Sequence, residues 1–277
     1  SSRELSTVSH ININASGSTI SALSAATTNY HNNKIEVGNI MNKTYDVAVS
    51  GGVLGLIYSL SQGALNITDV NFNKAQGATG ALDIRSALAD SSSYGIPFAG
   101  GVFGMVLKDE GDVNYFSNSL SSSSEGKTVF NCDVTVNSVQ NGTGPVYAGG
   151  IFGYHAFELP NDETELTFNL NGKDNTISVT AEQAETAGTV NHANQYDVAA
   201  GFYTSVLQTG YSVKNFNFNV NGGTVSARRL TGSAAVGDIS AGSIAGKAVG
   251  NGSGDAEISG LTVTLNSCSI CSLMRAA

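Results

Sequence analysis

The segment Gly51-Gly52-Val53-Leu54-Gly55 recurs along the chain and decides the fold. It returns as Gly100-Gly101-Val102-Phe103-Gly104 and as Gly149-Gly150-Ile151-Phe152-Gly153. Two diverged copies follow, Ala200-Gly201-Phe202-Tyr203-Thr204 and Gly242-Ser243-Ile244-Ala245-Gly246. The first residues of successive copies are separated by 49, 49, 51 and 42 positions. Self-similarity at a period of this size predicts a stacked-repeat architecture.

A second recurring element alternates apolar and polar residues and ends in asparagine. Such alternation places the apolar side chains on one face and the polar side chains on the other, as in a half-buried strand. The six copies are Ile11-Asn12-Ile13-Asn14, Val70-Asn71-Phe72-Asn73, Val134-Thr135-Val136-Asn137, Phe168-Asn169-Leu170-Asn171, Phe218-Asn219-Val220-Asn221 and Val263-Thr264-Leu265-Asn266.

The distance from the first residue of the glycine motif to the terminal asparagine is nearly constant. The five values are 22, 37, 22, 21 and 24 residues. The long value belongs to the second full repeat, where the segment 109–127 contains Ser121-Ser122-Ser123-Ser124. Stacked repeats tolerate inserted loops, so we predict a loop insertion over 109–127.

These patterns predict an all-β fold, a β-solenoid forming a single domain over residues 1–277. An offset near 22 residues is about one coil, so each repeat of about 49 residues is interpreted as two coils. One large three-sided coil per repeat is the alternative. Because Asn14 has no preceding glycine motif, the chain is expected to start in the middle of a repeat, as a processed chain or a segment of a longer one.

The recurring glycines and asparagines are interpreted as structural residues of the repeat. Glycine can adopt positive φ at a corner or permit close backbone approach. Asparagine suits a left-handed corner and can hydrogen-bond with its neighbours in a ladder. The residues so assigned are Gly51, Gly55, Gly100, Gly104, Gly149, Gly153, Gly242 and Gly246, together with Asn14, Asn73, Asn137, Asn171, Asn221 and Asn266.

Composition and charge narrow the classes of partner. The chain of 277 residues has a net charge of −9, which argues against nucleic acid, because phosphate binding needs clustered lysine and arginine. The adjacent pair Arg228-Arg229 is interpreted as a solvated strand end. No run of 18 apolar residues is present, so no transmembrane helix is predicted. The acidic, weakly charged composition fits a secreted or cell-surface protein.

No motif in the sequence strongly indicates catalysis, redox chemistry or metal binding. Cys132 lies among apolar neighbours and is predicted to be a buried free thiol. Cys268 and Cys271 form a C-x-x-C motif in a segment that is predicted to be a strand. The second ligand pair of a zinc site and the helix start of a redox motif are both missing from the sequence around it. The four histidines, His10, His31, His155 and His192, have no metal-ligand spacing, and His155 is expected at the surface. We therefore predict no catalytic, cofactor-binding or metal-binding residues.

The glycine motif among asparagine-rich strands resembles the repeats of bacterial β-helical surface proteins. The nearest patterns are GLUG-type repeats and the glycine-rich repeats of polymorphic outer-membrane adhesins, and the resemblance covers about residues 45–266. It implies secretion, a right-handed parallel β-helix and an adhesive or stalk-like role. The period here is longer than in those repeats, and no site residue is carried over.

The sequence predicts an extracellular structural or adhesive surface protein that is not an enzyme. It is expected to self-associate, end to end or laterally, or to bind a glycan or a cell-surface protein. The alternative is a polysaccharide-degrading β-helix enzyme. That enzyme would use acidic residues grouped on one face, and the candidates are Asp109, Asp112, Asp162 and Glu163.

Overall fold

The described part of the chain is built from β-strands alone. The computed structural model describes residues 7–15, 17–24, 46–59, 65–88, 95–108, 116–119, 127–141, 144–155, 166–183, 197–208, 213–230, 237–249 and 258–274. These residues form 23 strands, and every pairing between them is parallel. The prediction of an all-β fold is confirmed. No helix able to cross a membrane occurs among the described residues.

The largest sheet, here called the long sheet, has 11 strands. One half holds β1 (Thr7–Asn14), β5 (Leu65–Asn73), β9 (Phe116–Ser119), β10 (Lys127–Asn131) and β14 (Leu166–Asn171), and the other half holds β2 (Thr19–Ser24), β6 (Leu82–Leu88), β11 (Val134–Gln140) and β15 (Ile177–Gln183). Two longer strands, β19 (Phe216–Arg229) and β23 (Thr262–Met274), run across both halves.

Two further sheets have five strands each. The glycine sheet holds β3 (Asp46–Gly51), β7 (Gly95–Gly100), β12 (Val146–Gly149), β16 (Val198–Gly201) and β20 (Ile239–Gly242). The return sheet holds β4 (Leu54–Ser59), β8 (Phe103–Lys108), β13 (Phe152–His155), β17 (Thr204–Gln208) and β21 (Ala245–Val249). A short pair, β18 (Val213–Lys214) with β22 (Ile258–Ser259), completes the set.

The glycine motifs of successive repeats lie directly beside one another. Gly51 pairs with Gly100, which pairs in turn with Gly149. Each of these repeats therefore adds one strand to each five-stranded sheet, and equivalent strands are nearest neighbours. The interpretation of two coils per repeat is wrong, because two coils would separate equivalent strands by an intervening layer.

The same register corrects the alignment of the fourth motif. Gly201, not Ala200, pairs with Gly149 on one side and with Gly242 on the other. Ala200 instead pairs with Ala148 and Ala241. The small residues at 200 and 201 make both alignments plausible in sequence, and backbone pairing distinguishes them.

The segment 109–127, predicted to be a loop insertion, contains a strand. Residues Phe116–Ser119 form β9, which pairs with Leu65–Thr68 at the start of β5. Lys127 begins β10, which continues beside the end of β5. The remainder of the predicted insertion, 109–115 and 120–126, lies outside the described residues.

Like residues stack in columns to form the core. One column runs through Ile20, Ile84, Val136, Val179, Val225 and Ile270, each paired with the next. Aromatic rings also stack between repeats: the Phe103 and Phe152 centroids are 5.5 Å apart. Burying one such side chain stabilises the fold by about 1.5–3 kcal/mol. A separate, smaller cluster consists of glycine-sheet and return-sheet residues, including Phe98, Tyr147 and Tyr154.

The first glycine of each motif is required by close backbone approach. A Cβ on Gly51, Gly100 or Gly149 would overlap the carbonyl oxygen three residues further along the chain. The chain turns tightly here from the glycine sheet into the return sheet. Among the described residues, positive φ occurs at other glycines, such as Gly77 and Gly222, and at none of the motif glycines. Of the two explanations for these glycines, close approach applies and positive φ does not.

Candidate functional site

The recurring asparagines form amide contacts between neighbouring strands. Asn131 Nδ2 donates to Asn73 Oδ1 at 3.1 Å, and Asn266 Nδ2 donates to Asn221 Oδ1 at 2.9 Å. Asn14 pairs with Asn73 in register. None of the six predicted asparagines has positive φ, so the left-handed corner explanation is wrong for them. The ladder explanation fits the geometry.

Asn137 does not belong to the asparagine column. It lies on β11, where it pairs with Arg85 on one side and Thr180 on the other. The residue that pairs with Asn73 is Asn131, at the end of β10. Val134-Thr135-Val136-Asn137 has the same alternation as the true column members, but it belongs to the other half of the long sheet.

The side-chain amide of Asn171 makes hydrogen bonds at the turn between β14 and β15. Its side chain is fully buried, and its Nδ2 donates to the carbonyl oxygens of Asn175 at 2.6 Å and Gly222 at 3.0 Å. Its Oδ1 accepts from the backbone N–H of Asn221 at 2.9 Å. The amide thus joins two successive layers of the long sheet, as a satisfied buried polar group.

The outward side of one half of the long sheet is covered by amides and hydroxyls, and we call it the asparagine face. All its members are exposed or half-buried, and all are uncharged. They are Asn12, Asn14, Asn71, Asn73, Thr128, Asn131, Thr167, Asn169, Asn217, Asn219, Asn221, Thr262, Thr264 and Asn266. The strands of this half also carry His10 on β1, Asp69 on β5 and Lys127 on β10, and the side chains of these three residues lie outside those described.

The outward side of the other half has a different character. Its column of Thr19, Asp83, Thr135, Ser178, Thr224 and Ser269 follows the strand pairing. Thr135 Oγ1 donates to Asp83 at 2.8 Å, and Thr224 Oγ1 donates to Ser178 Oγ at 3.1 Å. Arg228 and Glu182 form an ion pair on this side at 3.9 Å. This half is polar and charged, whereas the asparagine face is polar and uncharged.

Arg229 is buried, so the interpretation of Arg228-Arg229 as a solvated strand end is wrong for this residue. It is only 1% exposed. Its Nε donates to Gln183 Oε1 at 2.6 Å, and Gln183 Nε2 donates to the Gly144 carbonyl oxygen at 2.9 Å. Burial lowers the pKa of the guanidinium, and the charge of Asp197 opposes that shift. The arrangement supplies hydrogen-bond partners to a buried cation, and it has the character of a structural network.

A second polar cluster joins the last two strands of the glycine and return sheets. Lys247 Nζ lies 2.5 Å from Asp197 Oδ2 and 2.9 Å from Asp238 Oδ2. Burial alone would lower the lysine pKa, but the hydrogen bonds and charges of both carboxylates raise it. The hydrogen bond from Lys247 lowers the pKa of Asp238. A lysine held charged between two carboxylates suits an ion-pair clamp better than a general base.

The three cysteines are free thiols that differ in burial. Cys132 is buried and free, which confirms that prediction, and burial with the nearby Asp133 charge raises its pKa to about 11. Cys268 and Cys271 both lie on β23, as the sequence indicated. In an extended strand, residues three apart have Cα atoms about 10 Å apart, beyond the reach of a disulfide. This C-x-x-C does not form a dithiol pair in the described fold.

His155 is fully buried, contrary to the expectation of a surface histidine. Its ring packs between aromatic neighbours, with centroids 5.6 Å from both Phe152 and Tyr203. Burial strongly raises the pKa of the Tyr203 hydroxyl. The pair lies in the aromatic packing of the core.

The described residues bring no set of three or more histidine, cysteine, aspartate or glutamate side chains together as metal ligands. The acidic candidates of the enzyme alternative, Asp109, Asp112, Asp162 and Glu163, all lie outside the described residues. Among the described residues, the asparagine face is the candidate binding surface.

No family model, no curated protein and no solved structure matches the chain.

Proposed function

We propose that the chain is a β-solenoid from an extracellular surface protein with a structural and adhesive role. Each repeat of about 49 residues forms one coil, which contributes one strand to each half of the long sheet, one to the glycine sheet and one to the return sheet. The coils are right-handed, since connections between parallel strands of one sheet take that hand in nearly all proteins.

One observation carries the proposal: equivalent residues of successive repeats are hydrogen-bonded neighbours. Gly51, Gly100 and Gly149 follow one another in this way across three layers. Such stacking extends the molecule by about 4.8 Å per coil, so added repeats lengthen the rod without altering its interior. A rod of this kind suits projection from a surface and presentation of a long side.

The polar outer faces support the extracellular and adhesive parts of the proposal. The described outer residues of the long sheet are mainly Asn, Ser and Thr, which offer many neutral hydrogen-bonding groups to a partner. The resemblance to adhesin repeats favours the same role. The polysaccharide-degrading enzyme rests on acidic residues outside the described part, so the geometry adds nothing in its favour.

Strand β23 supports self-association as part of this role. Its residues Val263, Leu265 and Ile270 pair with the buried Phe218, Val220 and Val225, yet they are 36–37% exposed. In the described residues no strand covers the other edge of β23. An exposed strand edge with apolar side chains is a template for further pairing.

The experiment compares adhesion of folded and unfolded chain. Beads coated with the protein are applied to surfaces bearing glycans or extracellular proteins, and beads coated with a Gly149→Val variant serve as the unfolded control. An antibody against the chain is applied to intact source cells in parallel. We expect adhesion by the folded protein alone and staining without permeabilisation. Absence of both, or release of reducing ends from polysaccharides, would overturn the proposal.

A further inference from the structure

The asparagine face is a two-dimensional array of hydrogen-bonding groups. Along the stacking direction, Thr167 pairs with Asn217 and Asn217 with Thr262, while Asn169 pairs with Asn219 and Asn219 with Thr264. Neighbouring strands are about 4.8 Å apart, and residues two apart on one strand are about 6.6 Å apart. Equivalent groups therefore recur at a fixed short interval along the axis of the rod.

The amides of this array are held in defined orientations by one another. Asn219 Nδ2 donates to Asn169 Oδ1 at 2.9 Å, and Asn266 Nδ2 donates to Asn221 Oδ1 at the same distance. A carboxamide has two N–H donors and two acceptor lone pairs, so it can take part in several hydrogen bonds at once. Each such contact fixes the planes of the two amides that make it, which lowers the entropy lost when a ligand binds.

Charge distinguishes the described side chains of this face from those on the other half of the long sheet. The protein carries a net charge of −9, but none of the fourteen described side chains of the asparagine face is ionisable. The other half of the long sheet carries Asp83, Arg85, Glu182 and Arg228 on its described outer side. The described side chains of this face include no cation that could select phosphate, sulfate or uronate groups. Its chemistry fits neutral hydroxyl groups.

We propose that the asparagine face binds an uncharged, extended, β-linked polysaccharide whose chain runs along the stacking direction of the strands. The inference rests on the adhesive function proposed above and names its ligand. Such a polymer presents one sugar at an interval of roughly 5 Å, close to the spacing of neighbouring strands. Each sugar then meets the next amide or hydroxyl of the same column, so affinity grows with the number of sugars.

The test measures binding of cellohexaose and chitohexaose by isothermal titration calorimetry. Polygalacturonate serves as the charged comparison, and dextran as the uncharged polymer of different linkage. The variant Asn169→Ala/Asn219→Ala removes one ladder contact at the centre of the asparagine face. Its matched control, Ser178→Ala/Thr224→Ala, removes a ladder contact of similar length, 3.1 Å, on the other half of the same sheet. Circular dichroism and thermal unfolding establish that both variants are folded.

We expect the parent to bind a β-linked hexasaccharide more tightly than the corresponding trisaccharide, and to bind neither polygalacturonate nor dextran. The asparagine variant should bind at least about tenfold more weakly, while the control variant keeps the parent affinity. Equal affinity in both variants would overturn the inference, as would inhibition of ice growth without glycan binding. Adhesion to protein-coated surfaces without glycan binding would overturn this inference and leave the proposed function standing. Loss of all adhesion would overturn both.

Discussion

Gly100 and Gly149 are neighbours in adjacent parallel strands, and each lacks room for a side chain for the same reason. A Cβ on Gly100 would overlap the carbonyl oxygen of Phe103, and a Cβ on Gly149 that of Phe152. The obstruction is backbone in both cases, so a side-chain rotation cannot relieve it. The turn from the glycine sheet into the return sheet therefore depends on glycine at this position in each of these layers.

Substitution of Gly149 by valine should destabilise the fold severely. Opening the turn would displace β12 and β13, which pair with strands on both sides. We expect a loss of about 4 kcal/mol or more in the free energy of unfolding, or failure to fold. Urea denaturation followed by circular dichroism measures the change. A variant as stable as the parent would contradict the close-approach explanation.

Gly77 provides the control for this substitution. It has positive φ, but a Cβ there would meet nothing within 4 Å. Asparagine tolerates the left-handed conformation better than other residues with a side chain. We therefore expect Gly77→Asn to change the free energy of unfolding by less than about 1 kcal/mol.

Replacing Lys247 by methionine should destabilise the protein in a pH-dependent way. The change leaves the half-buried Asp197 without its cation, at a cost of about 1–2 kcal/mol near neutral pH. Asp238 has a lowered pKa in the folded state, so its pairing stabilises the protein above the unfolded carboxylate pKa of about 3.9. That contribution is lost as the pH falls through the lower folded value. The difference between variant and parent should shrink in acid.

At alkaline pH, the titration of Lys247 sets where the stabilisation by its ion pairs is lost. The pKa of Lys247 is raised in the folded state. Its ion pairs therefore stabilise the protein fully below the unfolded lysine pKa of about 10.4, and this stabilisation is lost as the pH rises through the folded pKa. Lys173→Met, at an exposed turn, serves as the control and should match the parent throughout. Chemical denaturation between pH 3 and pH 11 measures both variants. A difference that is constant across this range would contradict the ion-pair clamp.

The sequence predicted the repeating strands because their cause is local. Alternation of apolar residues with Asn or Thr follows from burial on one face, and the motif glycines follow from one tight turn. The alignment of the repeats with one another was harder to predict from the sequence. Ala200 and Gly201 are both small, and only pairing of Gly201 with Gly149 shows which of them occupies the turn. The sequence pattern also places Asn137 in one group with Asn73, because both residues end an alternating tetrapeptide. Strand pairing assigns them to different halves of the long sheet.

The burial of Arg229 and the asparagine face both depend on contacts between residues that are distant in sequence. Arg229 is buried because Gln183 and Gly237 supply hydrogen bonds to it, and nothing adjacent to Arg228-Arg229 signals them. The asparagine face has the same origin. Asn217 on one strand is unremarkable alone, and the array exists only because Thr167 and Thr262 pair with it on either side.

The three thiols should differ sharply in reactivity. Cys271 is exposed, Cys268 is half-buried, and the pKa of buried Cys132 is raised to about 11. Since the thiolate is the reactive form, iodoacetamide at pH 8 should label Cys271 first and Cys132 only after unfolding. Mass spectrometry of the labelled peptides gives the order. A disulfide between Cys268 and Cys271 in the folded protein would contradict the extended geometry of β23.

Association of the chain through β23 should depend on its apolar column. Leu265 is 37% exposed, although Val220, its partner on the preceding strand, is fully buried. An aspartate at position 265 would place a charge where a further strand would pack, so Leu265→Asp should reduce the self-association proposed for this strand. Thr264→Asp, on the opposite side of the same strand, is the matched control and should leave assembly largely intact. Analytical ultracentrifugation over a range of protein concentrations measures both, and equal assembly of parent, variant and control would show that this column takes no part.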